Sequence, residues 1–85
     1  MSVRELMIVR VRLFANLVQY RPGAKAGQPF DVELAAGSTL AELIAHLQLP
    51  RVQVKVIFVN GIGVSQDYVI QPGDEVGFFS PIGGG

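Results

Sequence analysis

Only one stretch of this chain has the three-and-four spacing of an amphipathic helix, and that limits the architecture more than any other feature. Leu40, Leu43, Ile44 and Leu47 fall on one stripe. Thr39-Leu40-Ala41-Glu42 has the T-x-x-E spacing of a capping box, in which the threonine hydroxyl meets the amide of the glutamate and the carboxylate reaches back. Pro50 is expected to end the run. Around this stretch apolar residues recur with a period of two, over Met7–Phe14, Pro29–Ala35, Val54–Val59 and Glu75–Phe79, which predicts strands. One helical stripe can cover only one face of one sheet. The expected fold class is therefore α+β, a sheet of four to five strands with one main helix packed on one face.

The alternation also predicts which residues face the helix. Met7, Val9, Val11 and Leu13 share one face of the first strand, and Ile8, Arg10, Arg12 and Phe14 share the other. In the second strand Phe30, Val32 and Leu34 point inward, leaving Asp31 and Glu33 to pair with Arg10 and Arg12 if the two strands run antiparallel. In the third, Val54, Val56 and Phe58 oppose Lys55, Ile57 and Val59, and the charge-free set is taken as inward. Asn60-Gly61 suits a tight turn because both residues tolerate positive φ. Tyr68 to Ile70 reads as a short edge strand or loop, and Gln71-Pro72-Gly73-Asp74 as a type II turn. In the last strand Val76 and Phe78 face one way, Gly77 and Phe79 the other. Ile8, Phe14, Ile57, Val59 and Phe79 are thus expected on an open sheet face, a candidate docking surface.

At 85 residues the chain is read as a single domain, 1–85, with 1–6 a loose N-terminal extension and 80–85 a flexible tail. Either Met1 or Met7 could be the native start. Ala15–Gln28 reads as a connection with a short helical turn at Leu17, Val18 and Tyr20. The absence of cysteine excludes thiolate metal sites, cysteine nucleophiles and cysteine-held iron–sulfur clusters, and fits a reducing compartment. Seven basic residues balance seven acidic ones without any run of like charge, so nucleic acid is not an expected partner. Charges interrupt every apolar stretch before it could span a bilayer, and no signal-peptide core is present, so the expectation is a cytoplasmic protein without membrane contact. His46, the only histidine, falls on the outer side of the helix, and no serine has a paired base. With no metal site and no catalytic constellation, the chain reads as a carrier or subunit and not as an enzyme by itself.

The end of the chain, Phe78-Phe79-Ser80-Pro81-Ile82-Gly83-Gly84-Gly85, passes from an apolar strand into three glycines. Glycine lacks a Cβ, so such a segment is thin enough to enter a partner's channel and bring a carboxylate to a reactive centre. Together with Val11-Arg12-Leu13-Phe14-Ala15 and Val59-Asn60-Gly61, the block Pro72-Gly73-Asp74-Glu75-Val76-Gly77-Phe78-Phe79-Ser80-Pro81-Ile82-Gly83-Gly84-Gly85 resembles the β-grasp, ubiquitin-like sulfur carriers. It is most similar to the small subunit of molybdopterin synthase. Against that family's ending, Ser80 stands for a proline, Ile82 for a valine, and Gly83 occupies a variable spacer.

The resemblance implies a mixed sheet and a carrier that binds no cofactor. An E1-like adenylating enzyme would use ATP to activate the Gly85 carboxylate, and sulfur from a persulfide donor protein would displace AMP to leave a thiocarboxylate. Gly84 and Gly85 would be the reacting end. Phe79 would dock on the activating enzyme, and Pro81, Ile82 and Gly83 would enter the large subunit of molybdopterin synthase. Ile57 and Val59, on the open face, are further candidate partner contacts. Carriers of this kind also serve thiamine and other pathways, and a ubiquitin-like modifier joined to lysines through Gly85 is a second reading. A β-grasp interaction domain with an inert tail is a third.

Overall fold

The structure is a computed structural model and describes residues 5–80. Five strands, β1 (Leu6–Leu13), β2 (Phe30–Ala35), β3 (Val56–Val59), β4 (Ile62–Val64) and β5 (Glu75–Phe79), form one sheet in the order β2-β1-β5-β3-β4. β1 and β5 run parallel at its centre, and the other neighbours are antiparallel. One helix, α1 (Leu40–His46), lies on one face, with 3-10 turns at Ala15–Tyr20 and Arg51–Gln53. This is the expected α+β, β-grasp arrangement of a mixed sheet and one main helix. β1 starts at Leu6, paired with Ala35, and the Glu5 carbonyl accepts from Ala36 N–H at 2.7 Å. Leu6 therefore belongs to the sheet, and Glu5 is tied to its end by that bond; residues 1–4 lie outside the described part.

The capping box closes as expected. Glu42 N–H donates to Thr39 Oγ1 at 3.3 Å, and Thr39 N–H donates to the Glu42 carboxylate at 2.9 Å. The next free amides of the first turn are met from outside the helix, Leu40 N–H by Tyr68 O and Ala41 N–H by Gln66 O. That explains the irregular 65–70 segment. Its carbonyls are used on the helix terminus, so Tyr68–Ile70 contributes one bridge, Thr39 with Val69, and the edge strand forms earlier, at Ile62–Val64. Replacing Thr39 by Ala removes the side-chain half of the cap and is expected to lower unfolding free energy by about 1 kcal/mol, measurable by urea titration.

Pro50 does not end α1. Gln48 adopts a left-handed conformation (φ 58°), Leu49 N–H donates to Ile44 O at 3.1 Å and Gln48 N–H to Ala45 O at 3.1 Å, the paired bonds of a Schellman closure. Leu47 is consequently the C-cap, partly buried, while Leu40, Leu43 and Ile44 are fully covered.

The facing of β3 is the main departure from the alternation. Ile57 and Val59 are in the core at 5% and 3% exposure, whereas Val56 and Phe58 lie open at 44% and 38%. Val54 is also buried, but it caps the 3-10 turn and lies outside the strand, so its parity does not carry into β3. Pairing decides the matter. Residues directly opposite in an antiparallel ladder share a face, and Ile57 and Val59 stand opposite Phe78 and Val76, which are themselves buried. The charge-free set was the wrong guide, because the open face is itself largely apolar, with Ile8, Val56 and Phe58 on it.

Arg10 pairs with Asp31 at 3.3 Å, directly across the β1–β2 ladder. Arg12 does not join Glu33, because the register sets Ile8 there; it reaches Glu75 at 3.8 Å and donates to Gly27 O at 2.8 Å.

A buried carboxylate holds the start of β5. Asp74 accepts from Asn60 Nδ2 (3.0 Å), the Tyr68 hydroxyl (3.0 Å) and Gln71 N–H (2.8 Å). The Tyr68 hydroxyl is held above its usual pKa of 10.0, first by its hydrogen bond to Asp74, then by desolvation and by the charge of Asp74. Folding therefore favours the neutral phenol. That stabilisation is complete below the unfolded pKa and is lost as pH rises through the higher folded value. Melting curves from about pH 8 to about pH 11 should show the native protein's advantage over Tyr68→Phe shrinking at the alkaline end.

Candidate functional site

Because β5 lies between β1 and β3, Phe79 ends an inner strand of the sheet and Ser80 follows it. The strand is held on both sides up to that point. Phe14 N–H donates to Phe78 O at 3.1 Å, and Lys55 N–H donates to Phe79 O at 3.1 Å. A partner that grips this end meets a backbone already ordered, which lowers the entropy lost on binding.

Phe78 and Phe79 then divide the two faces. Phe78 is fully buried in the core cluster that also holds Leu40, Leu43 and Ile44. Phe79 turns to the open face and stacks on Phe14, with ring centroids 4.3 Å apart and planes 2° from parallel. Phe58 meets Phe79 edge-on at 5.5 Å and 84°. Such aromatic pairs hold one another by about 0.5–1.5 kcal/mol beyond the area they cover. The cluster is therefore a firm apolar patch and not three independent side chains.

Gly77 keeps the middle of that patch low. It stands opposite Phe58 in the ladder, and a Cβ built there would lie 3.5 Å from both the Phe14 and the Phe79 ring. A groove of about 320 Å³ lies over it, lined by Phe14, Phe58 and Phe79 with Arg12, Asn60 and Glu75. Val56, opposite Phe79, extends the patch toward the edge. Around it the charges are already paired, Arg12 with Glu75 and Arg10 with Asp31.

Of the expected contact residues, Phe79 is on the open face and Ile57 and Val59 are not. Pro81, Ile82, Gly83, Gly84 and Gly85 lie outside the described residues. Val56 and Phe58 take the places given to Ile57 and Val59. The signal for them was the unambiguous parity of β5: any strand paired antiparallel to it must place the partners of Gly77 and Phe79 outward. His46 is exposed on α1, and among the described residues no cluster of three acidic, histidine or cysteine side chains could hold a metal. No helix among them is long and apolar enough to cross a membrane.

The sequence model of the ThiS family matches residues 11–85. No curated protein compared with the chain matches it. Among solved structures, a Pyrococcus furiosus protein assigned as subunit 1 of a molybdopterin converting factor is similar at 27% identity and a TM-score of 0.67, over 89% of this chain and 99% of that one. Small archaeal modifier protein 1 of Haloferax volcanii shares the fold at 18% identity and a TM-score of 0.69, over 89% of this chain and 99% of that one. The HVO 2177 protein of the same organism shares it at 20% identity and a TM-score of 0.74, over 100% of this chain and 92% of its own.

Proposed function

Since the chain belongs to the ThiS family of β-grasp sulfur carriers, we propose that it carries sulfur as a thiocarboxylate on Gly85 and delivers it in the assembly of molybdopterin. The family match through the final glycines is the observation that carries this reading. The likeness to the Pyrococcus furiosus converting-factor subunit supports the choice of pathway. A carboxylate is a poor acyl donor, so an adenylating partner first joins it to AMP, with pyrophosphate leaving from ATP. A persulfide on a donor protein then attacks the carbonyl carbon and AMP departs. Reductive cleavage of the sulfur–sulfur bond by a thiol leaves the thiocarboxylate on the carrier. The large subunit of a synthase then receives Gly84 and Gly85 in its active site. We place this chemistry in the cytoplasm, where ATP is at hand.

In this reading the patch of Phe14, Val56, Phe58 and Phe79 is the handle by which partners hold the domain while Pro81, Ile82 and Gly83 lead the end of the chain inward. Charge placed on such a patch is desolvated without compensation when a partner covers it. Phe58→Glu and Phe79→Glu are each expected to lower kcat/KM for activation about tenfold or more, as central aromatic contacts do. The same variants should keep most of their melting temperature, since both rings are at least partly open. A collapse in melting temperature with unchanged activation per folded molecule would assign the rings to stability alone.

The deciding measurement is intact mass after incubation with an adenylating enzyme, ATP and a persulfide donor. Exchange of one oxygen for sulfur, localised to the last residue, is the expected result. Attachment of the chain to lysines of other proteins would favour the modifier reading, and an unchanged mass would leave an interaction domain.

A further inference from the structure

β2 is an outer strand of the sheet, paired with β1 on one side only. Ala36 N–H donates to Glu5 O, while Arg10 and Phe14 donate to the opposite side of β1, toward β5. Odd-numbered residues of β1 therefore bond β2. The β1–β2 register then turns the peptide groups of Phe30, Val32 and Leu34 toward β1, and those of Asp31 and Glu33 out to the free edge.

A groove of about 530 Å³ lies beside β2, lined by Asp31, Val32 and Glu33 of the strand together with Tyr20, Arg21, His46 and Leu47. Two features define what fits. The exposed peptide groups ask for another extended strand. The side chains on the outer face of β2, Asp31 and Glu33, are both exposed carboxylates, and Glu33 has no ion pair among the described residues. A second copy joined through the same edge would bring carboxylate against carboxylate, which disfavours self-pairing.

We propose that the β2 edge accepts an extended segment of a partner protein in which lysine or arginine alternates with apolar residues. Its basic side chains would lie beside Asp31 and Glu33 on the outer face, and its apolar ones over Val32 and Leu47 at the groove. Main-chain hydrogen bonds at Asp31 and Glu33 supply attachment, and the carboxylates select the sign of charge. This surface lies on the far side of β1 from the aromatic patch, so the carrier could hold such a partner while its activating enzyme is bound.

The test titrates the isotope-labelled full chain with a short peptide alternating arginine and valine, followed by amide NMR shifts. Shifts confined to residues 30–35 and the groove walls are expected, with no binding of a glutamate–valine counterpart. Methylating the peptide's bonding amide nitrogens should abolish binding. Glu33→Lys should weaken the arginine peptide about tenfold and admit the glutamate peptide, and Glu33→Gln, with a smaller loss, serves if the lysine variant folds poorly. Equal binding of both peptides, shifts centred on Phe58 and Phe79, no shifts at saturating peptide, or concentration-dependent shifts at β2 without peptide would each overturn the proposal, the last by showing a second copy on the edge.

Discussion

A chain shortened by Gly85 alone is expected to melt where the full-length protein melts and to accept no sulfur. Removing one glycine takes away no side chain and almost no apolar area, and the core from Met7 to Phe78 is complete without it. Chemistry at a terminal carboxylate is far less tolerant. The new end, Gly84, would stop one residue short, a shift of about 3.5 Å along an extended chain. Displacement of that order is enough to cost a reacting pair about two powers of ten or more. The comparison is therefore between a differential scanning trace and the mass gained with ATP, activating enzyme and persulfide donor. Unchanged sulfur uptake by the shortened chain would remove Gly85 from the mechanism. A lowered melting temperature would give the end of the chain a packing role that the proposed function does not include.

Asp74→Ala is expected to have the largest effect on folding. The carboxylate, at 6% exposure, collects Asn60, Tyr68 and Gln71, three donors from three separate turns. Asn60 in turn accepts Glu75 N–H at 3.0 Å, so the hub fixes both the β3–β4 turn and the first residue of β5. Alanine leaves those donors without their acceptor. A loss of about 3 kcal/mol follows from the cost of stranding partly buried donors that had bonded a charge. For a domain of this size that corresponds to a fall in melting temperature of about 15 °C. Asp74→Asn should fall between, since its oxygen can still accept from both Tyr68 and Gln71 while its amide group faces the Asn60 donor. Sulfur uptake per folded molecule should survive in both variants, because the hub lies at the opposite end of β5 from the segment proposed to react. Equal melting temperatures for native protein and Asp74→Ala would show that the hydrogen bonds are replaced by water at no cost.

The features legible in the residues are those whose causes lie within a few positions of one another. The Thr39–Glu42 capping box closes within one helical turn, and Asn60-Gly61 turns with φ of 52° and 85°, both set by residues that tolerate them. Gly73, at φ 84°, likewise makes its turn locally. The end of α1 was not legible, because glutamine takes the left-handed position that glycine usually marks, and the nearby Pro50 offered a more obvious stop. Nor was the role of the 65–70 segment. Its polar, irregular composition says only loop, while its carbonyls serve the terminus of a helix more than twenty residues away.

The residues alone determined an α+β chain with one covered sheet face, the outward turn of Phe79 against the inward turn of Phe78, and the family resemblance of the final block. Each depends on periodicity or motif within a single element. Tertiary structure decided which face of β3 is buried, where Arg12 finds its partners, and that the open apolar patch is Phe14, Val56, Phe58 and Phe79. A strand's own alternation defines two faces but cannot say which is covered. That choice is made by register: once β3 pairs with β5, Ile57 must follow Phe78 inward, and Phe58 is left beside Gly77 on the open side.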